Sequence, residues 1–500
     1  MDFEVLFDII YWDLNIYYLQ PNIFRNLNNI KKVCKKWNLF WKLDKIIRLR
    51  IPYLIKIDKI FDLKNLNNIK YLNFDNINLV ENLNFCKNLL YLCCDESEIS
   101  EIPEELDCLE ELDCNNCKNL IKIPNIKTLK KINCNNTNIN TIPEDLDYLE
   151  EINCNNCKNL IKIPNIKTLK KINCGNTNIS EIPETLNCLE ELICNFCDNL
   201  IKIPEIKTLK KLICENTNII EIPETLNCLE ELNCSGCYNL IKIPEIKTLK
   251  KLNCRNTNIS IIPETLKYLE ELYCCVCANL TKIPNIKTLK ILNCFFTTID
   301  IISEELNCLE ELNCYNCKNL IKIPEIKTIK KLNCVNTNIS EIPETLNCLE
   351  ELNCYQCLNI RKIPEIKTLK KLNCGRTNIS EIPKTLNCLE ELNCYCCKNL
   401  IKINSNIKIL KCRKTKISII SEELYRLEIL DCNECKNLIK IPNIKTLKKI
   451  KCKSTNIIEI PETLNCLEEL DCRFCLNLTK IPNIKTLKKL SSDLSTYYNN

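Results

Sequence analysis

The chain has 500 residues, 45% of them hydrophobic, a formal net charge of +5, no histidine and three glycines. Without histidine the commonest general base and metal ligand are missing, and Gly175, Gly236 and Gly375 cannot build a phosphate-cradling loop. Residues 1–68 carry 12 Lys+Arg against 7 Asp+Glu, which leaves 57 of the 69 basic and 57 of the 64 acidic residues for the rest. An array so balanced offers no basic face to nucleic acid. No apolar run reaches the ~18 residues of a membrane-spanning helix. Met1-Asp2-Phe3-Glu4 lacks the basic start of a secretory signal.

Residues 1–46 hold all three tryptophans and read as helical. Phe3, Leu6, Phe7, Ile10 and Leu14 fall on one helical face. A second helical stretch, residues 22–43, has Ile23, Leu27, Ile30, Val33, Cys34, Trp37 and Trp41 on its apolar side. Such a segment would cap the open first turn of a repeat array. Within it, Glu4-Val5-Leu6-Phe7-Asp8-Ile9-Ile10 and Val33-Cys34-Lys35-Lys36-Trp37 resemble the two ends of an F-box. That resemblance implies docking onto the adaptor subunit of an SCF-type ubiquitin ligase through Glu4, Leu6, Ile9, Val33, Cys34 and Trp37.

Residues 47–68 are a transition. Ile46, Leu49 and Ile51 have strand spacing, so a degenerate first turn is expected there. From residue 69 to 490 the chain repeats about 22 times at a 20-residue step, with one two-residue shortening near residues 401–407 where a change of curvature is expected. Two repeat types alternate. One reads L-x-x-L-x-C-x-x-C-x-x-L-x-x-I-P (residues 309–324), the other L-x-x-L-x-C-x-x-T-x-I-x-x-I-P (residues 369–383). Residues 491–500 form a polar tail.

Both types resemble the leucine-rich repeat, with cysteine at the third leucine. The resemblance implies an α/β solenoid, a horseshoe or superhelix with a parallel sheet on its concave face. The residue pattern agrees with this. In L-x-x-L-x-C, positions 4 and 6 share one face of a strand and positions 3, 5 and 7 the other. The first type carries Glu-Glu before its fourth residue and the second Lys-Lys, as at Glu350-Glu351 and Lys370-Lys371. Neighbouring parallel strands therefore set acid beside base. Richness in Asn, Ile and Lys resembles that of giant-virus or amoebal repeat proteins.

The 42 cysteines include ten C-x-x-C pairs. Successive pairs lie two strands apart, roughly 10 Å, too far to share one tetrahedral zinc ion. Disulfides along the column would face two equivalent neighbours each. The cysteines are therefore expected to be reduced, small, buried hydrophobes. Cys188, Cys228, Cys308, Cys348 and Cys388 are expected to pack near the convex side. Reduced thiols imply the cytoplasm, a host's if the chain is viral, or the nucleus.

No catalytic constellation, metal site or cofactor is expected. Positions 7 and 8 escape the repeat, and there an aromatic row stands out. Phe295, Phe296, Tyr315, Val335, Tyr355 and Tyr395, with Tyr273 beside them, form a candidate protein-binding surface on the concave face. The F-box resemblance would make the chain the substrate-recognition subunit of a ubiquitin ligase. With the N-terminus serving only as a cap, it would be a scaffold or host-directed effector.

Overall fold

In a computed structural model the described residues are 47–51, 69–74, 83, 84, 86–403 and 407–493. The helical cap, the F-box-like residues Glu4, Leu6, Ile9, Val33, Cys34 and Trp37, and the tail from residue 494 lie outside them. The chain falls into two units, residues 1–152 and 153–500, each taken by itself.

In the first unit, β1 (Ile47–Ile51) pairs in parallel with β2 (Ile69–Phe74), with one register shift after Ile47. β3 (Tyr91–Cys93), β4 (Glu111–Asp113) and β5 (Lys131–Asn133) continue in parallel. β6 (Glu151–Asn153) stands at the division. In the second unit, three-residue strands follow one per turn from β7 (Lys171–Asn173) to β23 (Lys489–Ser491). Each unit is a stretch of parallel-sheet solenoid with one strand per turn.

Numbering each turn from its first leucine, the strand is positions 3–5. Position 4 is buried and positions 3 and 5 face outward, as in Glu351-Leu352-Asn353. The backbone ladder is longer than the strand. The N–H groups of Glu350, Cys354 and Gln356 donate to the carbonyls of Lys330, Asn373 and Gly375, each at 2.8 Å. Positions 1, 4, 6, 9, 12 and 15 then stack as buried columns, seen at Leu309, Leu312, Cys314, Cys317, Leu320 and Ile323. Each turn buries its apolar side chains only against its neighbours, so the core grows with the number of turns.

The alternation of repeat types follows from one carbonyl. Cys334 O, at position 6 of a second-type turn, accepts from Thr337 Oγ1 at 2.7 Å and from Cys357 Sγ of the next turn at 2.9 Å. The same pair serves Cys294 O through Thr297 and Cys317. A buried carbonyl without donors is costly, and the threonine hydroxyl and cysteine thiol supply them from two sides. The cysteine columns are therefore donors as well as hydrophobes.

The returns are turns, with no helix between residues 91 and 403. Ile326 N–H donates to Pro324 O at 2.9 Å, and Thr328 Oγ1 closes the turn onto Leu309 O at 2.7 Å. Second-type turns have no such threonine at position 20, and the residue there is open to solvent. This corrects the expectation for five cysteines: Cys188, Cys228, Cys308, Cys348 and Cys388 are exposed, as is Cys466. They belong to no packed column.

The shortened turn leaves the sheet intact. β18 (Glu391–Asn393) pairs with β19 (Ile409–Lys411) in unshifted register, Leu392 on Leu410. Residues 404–406 of the return lie outside the described ones.

Candidate partner-binding surface

The outward side of the sheet is a charge ladder with an amide ladder beside it. At position 2 the lysines reach back to the preceding turn. Lys330 meets Glu310 at 2.7 Å, Lys370 meets Glu350 at 2.8 Å and Lys448 meets Glu428 at 2.7 Å. At position 3, Lys331 meets Glu311 at 2.7 Å and Lys371 meets Glu351 at 2.9 Å. These charges largely neutralise one another. Between Glu271 and Glu311 the ladder is interrupted by Ile291, which is registered with both.

Position 5 is asparagine in six successive turns from Asn293 to Asn393. From Asn313 onward its side chain accepts the N–H two residues on, as Asn313 Oδ1 does from Tyr315 at 3.2 Å and Asn393 Oδ1 from Tyr395 at 3.2 Å. This turn, which asparagine side chains favour, aims position 7. Position 8 is then left-handed throughout, with φ near 60° at Asn116, Asn316 and Gln356. Asparagine and glycine tolerate that conformation, which explains why position 8 is so often asparagine.

The candidate residues sit in three places. Tyr273, at position 5, lies on the sheet face. It lines a shallow groove with Ile291, Asn293, Glu311 and Lys331. Its hydroxyl donates to Glu271 at 3.0 Å. Burial, then that hydrogen bond, pushes its pKa up to about 12. The other candidates do not line this groove; they follow the strand ends.

Phe295, Phe296 and Tyr315 form one cluster. The Phe296 ring meets Tyr315 edge-on at 5.0 Å and Phe295 at 5.9 Å between centroids. Phe296 reaches them from a left-handed backbone with φ 56°. Tyr355 and Tyr395 form the second cluster, stacked at 6.4 Å and 16° although one turn lies between them. That turn contributes Gly375, where a β-carbon would stand 2.9 Å from Tyr355 Cδ2. Val335 is half-buried between the clusters.

Arginine covers both clusters, and these arginines were not among the expected site residues. The Arg255 guanidinium lies 5.6 Å from the Phe295 centroid. Arg376 lies 6.0 Å from Tyr355 and 5.6 Å from Tyr395. Arg413 lies 6.0 Å from Tyr395 and is paired to Glu434 at 2.6 Å. The signal was present in the sequence as a lag. Arg376 follows Tyr355 by one repeat plus one residue and precedes Tyr395 by one repeat less one. Aromatic faces under guanidinium groups are the surface chemistry enriched at protein interfaces.

No family model matches the chain, and no curated protein matches it. Solved structures do. The fold is that of leucine-rich repeats. YopM from Yersinia enterocolitica superposes with a TM-score of 0.53 at 20% identity, covering 81% of this chain and 87% of that one. The functional domain of InlJ from Listeria monocytogenes, which includes a cysteine ladder, superposes with a TM-score of 0.51 at 21% identity. It covers 61% of this chain and 68% of its own. At these identities the likeness is one of fold. The leucine-rich-repeat scaffold explains why the candidate side chains recur at one place on successive turns.

Proposed function

We propose that the chain is a non-enzymatic interaction solenoid whose protein partner docks along the strand-end row of positions 7 and 8 on its concave side. The observation that carries this reading is the pair of arginine-covered aromatic clusters, Arg255 with Phe295, Phe296 and Tyr315, and Arg376 with Tyr355 and Tyr395. Large aromatic and arginine side chains held by their neighbours lose little freedom on binding, which is what makes such residues anchors. The leucine-rich-repeat scaffold supports a binding role over a catalytic one, since its outward residues are amides and mutually neutralised charges.

The partner test is affinity capture from the source cell with the full chain, against Phe295→Ser/Tyr315→Ser and Arg376→Ala/Tyr395→Ser. The reading requires one partner to be retained by the wild type and lost by a variant whose circular dichroism is unchanged. Retention by both variants overturns it.

Within that reading, the F-box-like residues Leu6, Ile9, Val33 and Trp37 make the chain a substrate receptor of an SCF-type ligase, working in the cytoplasm or nucleus where its thiols stay reduced. The test is direct binding of the full chain to the purified adaptor subunit, with Trp37→Ala as control. Absence of binding leaves a scaffold or effector, with the first 46 residues as a cap.

A further inference from the structure

Charge along the strand-end row of the second unit is unevenly placed. In the ten turns that start at residues 169 to 349, positions 7, 8 and 10 carry two basic residues, Arg255 and Lys318, and two acidic ones, Asp198 and Glu215. In the six turns that start at residues 369 to 467, the same positions carry eight basic residues and one acidic residue, Glu434. The change begins at Arg376, beside the second aromatic cluster. Backbone bonds keep this run in register. Arg376 N–H donates to Tyr395 O at 2.7 Å, Cys396 N–H to Arg413 O at 2.8 Å, Lys414 N–H to Asn433 O at 3.0 Å and Glu434 N–H to Lys453 O at 2.8 Å. The ladder is continuous past the shortened turn.

Few of these cations are neutralised. Glu434 is engaged twice, by Arg413 at 2.6 Å and by Lys414 at 3.2 Å. Arg473 pairs with Asp471 at 2.7 Å. Among the described residues, Arg376, Lys398, Lys416, Lys436 and Lys453 make no ion pair. Position 10 shows what is missing. Lys318 reaches Asn336 Oδ1, at position 8 of the next turn, at 2.6 Å. For Lys398 the residue in that place is Lys414. Like charges set side by side repel, and a bound anion relieves them.

We propose that the partner contributes an extended acidic segment, whose carboxylates seat on the cationic run from Arg376 to Lys453. This rests on the reading that a protein partner docks along the strand-end row. Charge complementarity selects an acidic occupant, since the run holds more cations than its own carboxylates can pair. Guanidinium groups such as Arg376 and Arg413 present the forked donors that carboxylates take up. The run also has the form of a track. At about 4.8 Å per turn its five steps span roughly 24 Å, which an extended chain covers in about seven residues. A single-stranded nucleic acid is the less suitable occupant. Its bases need open aromatic faces to stack on, and here cations already lie against the rings. Arg376 and Arg413 lie 5.6 and 6.0 Å from the Tyr395 centroid, and Lys453 lies 5.2 Å from that of Phe474.

The test is fluorescence anisotropy of a labelled peptide of about seven glutamates with the full chain in reducing buffer, beside the matching glutamine peptide and a single-stranded oligothymidine. The glutamate peptide is expected to bind, and to bind less as salt is raised, while the glutamine peptide does not. Lys414→Glu/Lys416→Glu, with circular dichroism unchanged, is expected to weaken binding about tenfold or more. Lys207→Glu/Lys247→Glu, which reverses as many charges on the returns, leaves it unchanged. If the first variant disturbs the fold, Lys398→Gln/Lys436→Gln, at two exposed lysines, gives the second reading. No binding of the glutamate peptide overturns the proposal. So does equal binding of the glutamine peptide, equal loss in the return variant, or tighter binding of the oligothymidine. A cellular partner that is lost with Phe295→Ser/Tyr315→Ser but indifferent to Lys414→Glu/Lys416→Glu keeps the docking row and removes the acidic segment.

Discussion

Gly375 lies beneath the ring of Tyr355: a β-carbon there would stand 2.9 Å from Tyr355 Cδ2 and 3.1 Å from the carbonyl of Tyr395. The glycine is required by this contact, since its φ is not in the left-handed region. Gly375→Ala is expected to push the Tyr355 ring off Tyr395 at a cost of about 1 kcal/mol. The near-ultraviolet circular dichroism of the tyrosines would change, and the melting temperature would fall only slightly.

Backbone strain is concentrated at position 8. Val276 holds φ 60° with a branched side chain, an arrangement that residue type rarely adopts. Val276→Asn is expected to stabilise the chain by about 1 kcal/mol, read as a rise in the midpoint of denaturant unfolding. Gly236→Ala is expected to act the other way. Its φ is +71°, and the added carbon would collide with the Asn216 side-chain amide.

The shared carbonyl predicts an unusual pattern of tolerance. Thr337→Val removes one donor from Cys334 O and should cost about 1–2 kcal/mol. Thr337→Ser should cost less, because it keeps the hydroxyl that donates to this carbonyl within its own turn. Comparing the two unfolding midpoints checks this directly.

Thiol chemistry should separate two populations. Burial pushes the Cys274, Cys314 and Cys354 thiols well above the ordinary value, and reagent cannot reach them. Alkylation of the native chain followed by peptide mapping should mark Cys188, Cys228, Cys308, Cys348, Cys388 and Cys466 first. The column cysteines should react only on unfolding. Early modification of Cys314 or Cys354 would show that the columns open.

Tyr273 predicts a pH effect of known sign. Its folded value of about 12 lies above the ordinary 10.0, so the folded chain holds this proton more tightly than the unfolded one. Stabilisation from this group is fully present below pH 10.0 and is lost as the pH rises towards about 12. Tyr273→Phe should flatten the decline of stability over that window and leave neutral pH unchanged.

Much of the molecule could be read from one dimension. The 20-residue step, the strand at L-x-x-L-x-C, the buried columns and the facing of acid and base on neighbouring turns all follow from periodicity. In a solenoid each turn's environment is its neighbours, and they carry the same residues. The aromatic row was legible for the converse reason, as a departure from the repeat. Other features depend on offsets between turns smaller than a residue step, which no period records. Tertiary structure alone decided that Cys357 and Thr337 converge on Cys334 O, that position 8 is left-handed, and that Cys348 faces solvent while Cys354 does not. The side-chain sequence sets which residues recur. The lateral packing of one turn on the next sets which of their atoms meet.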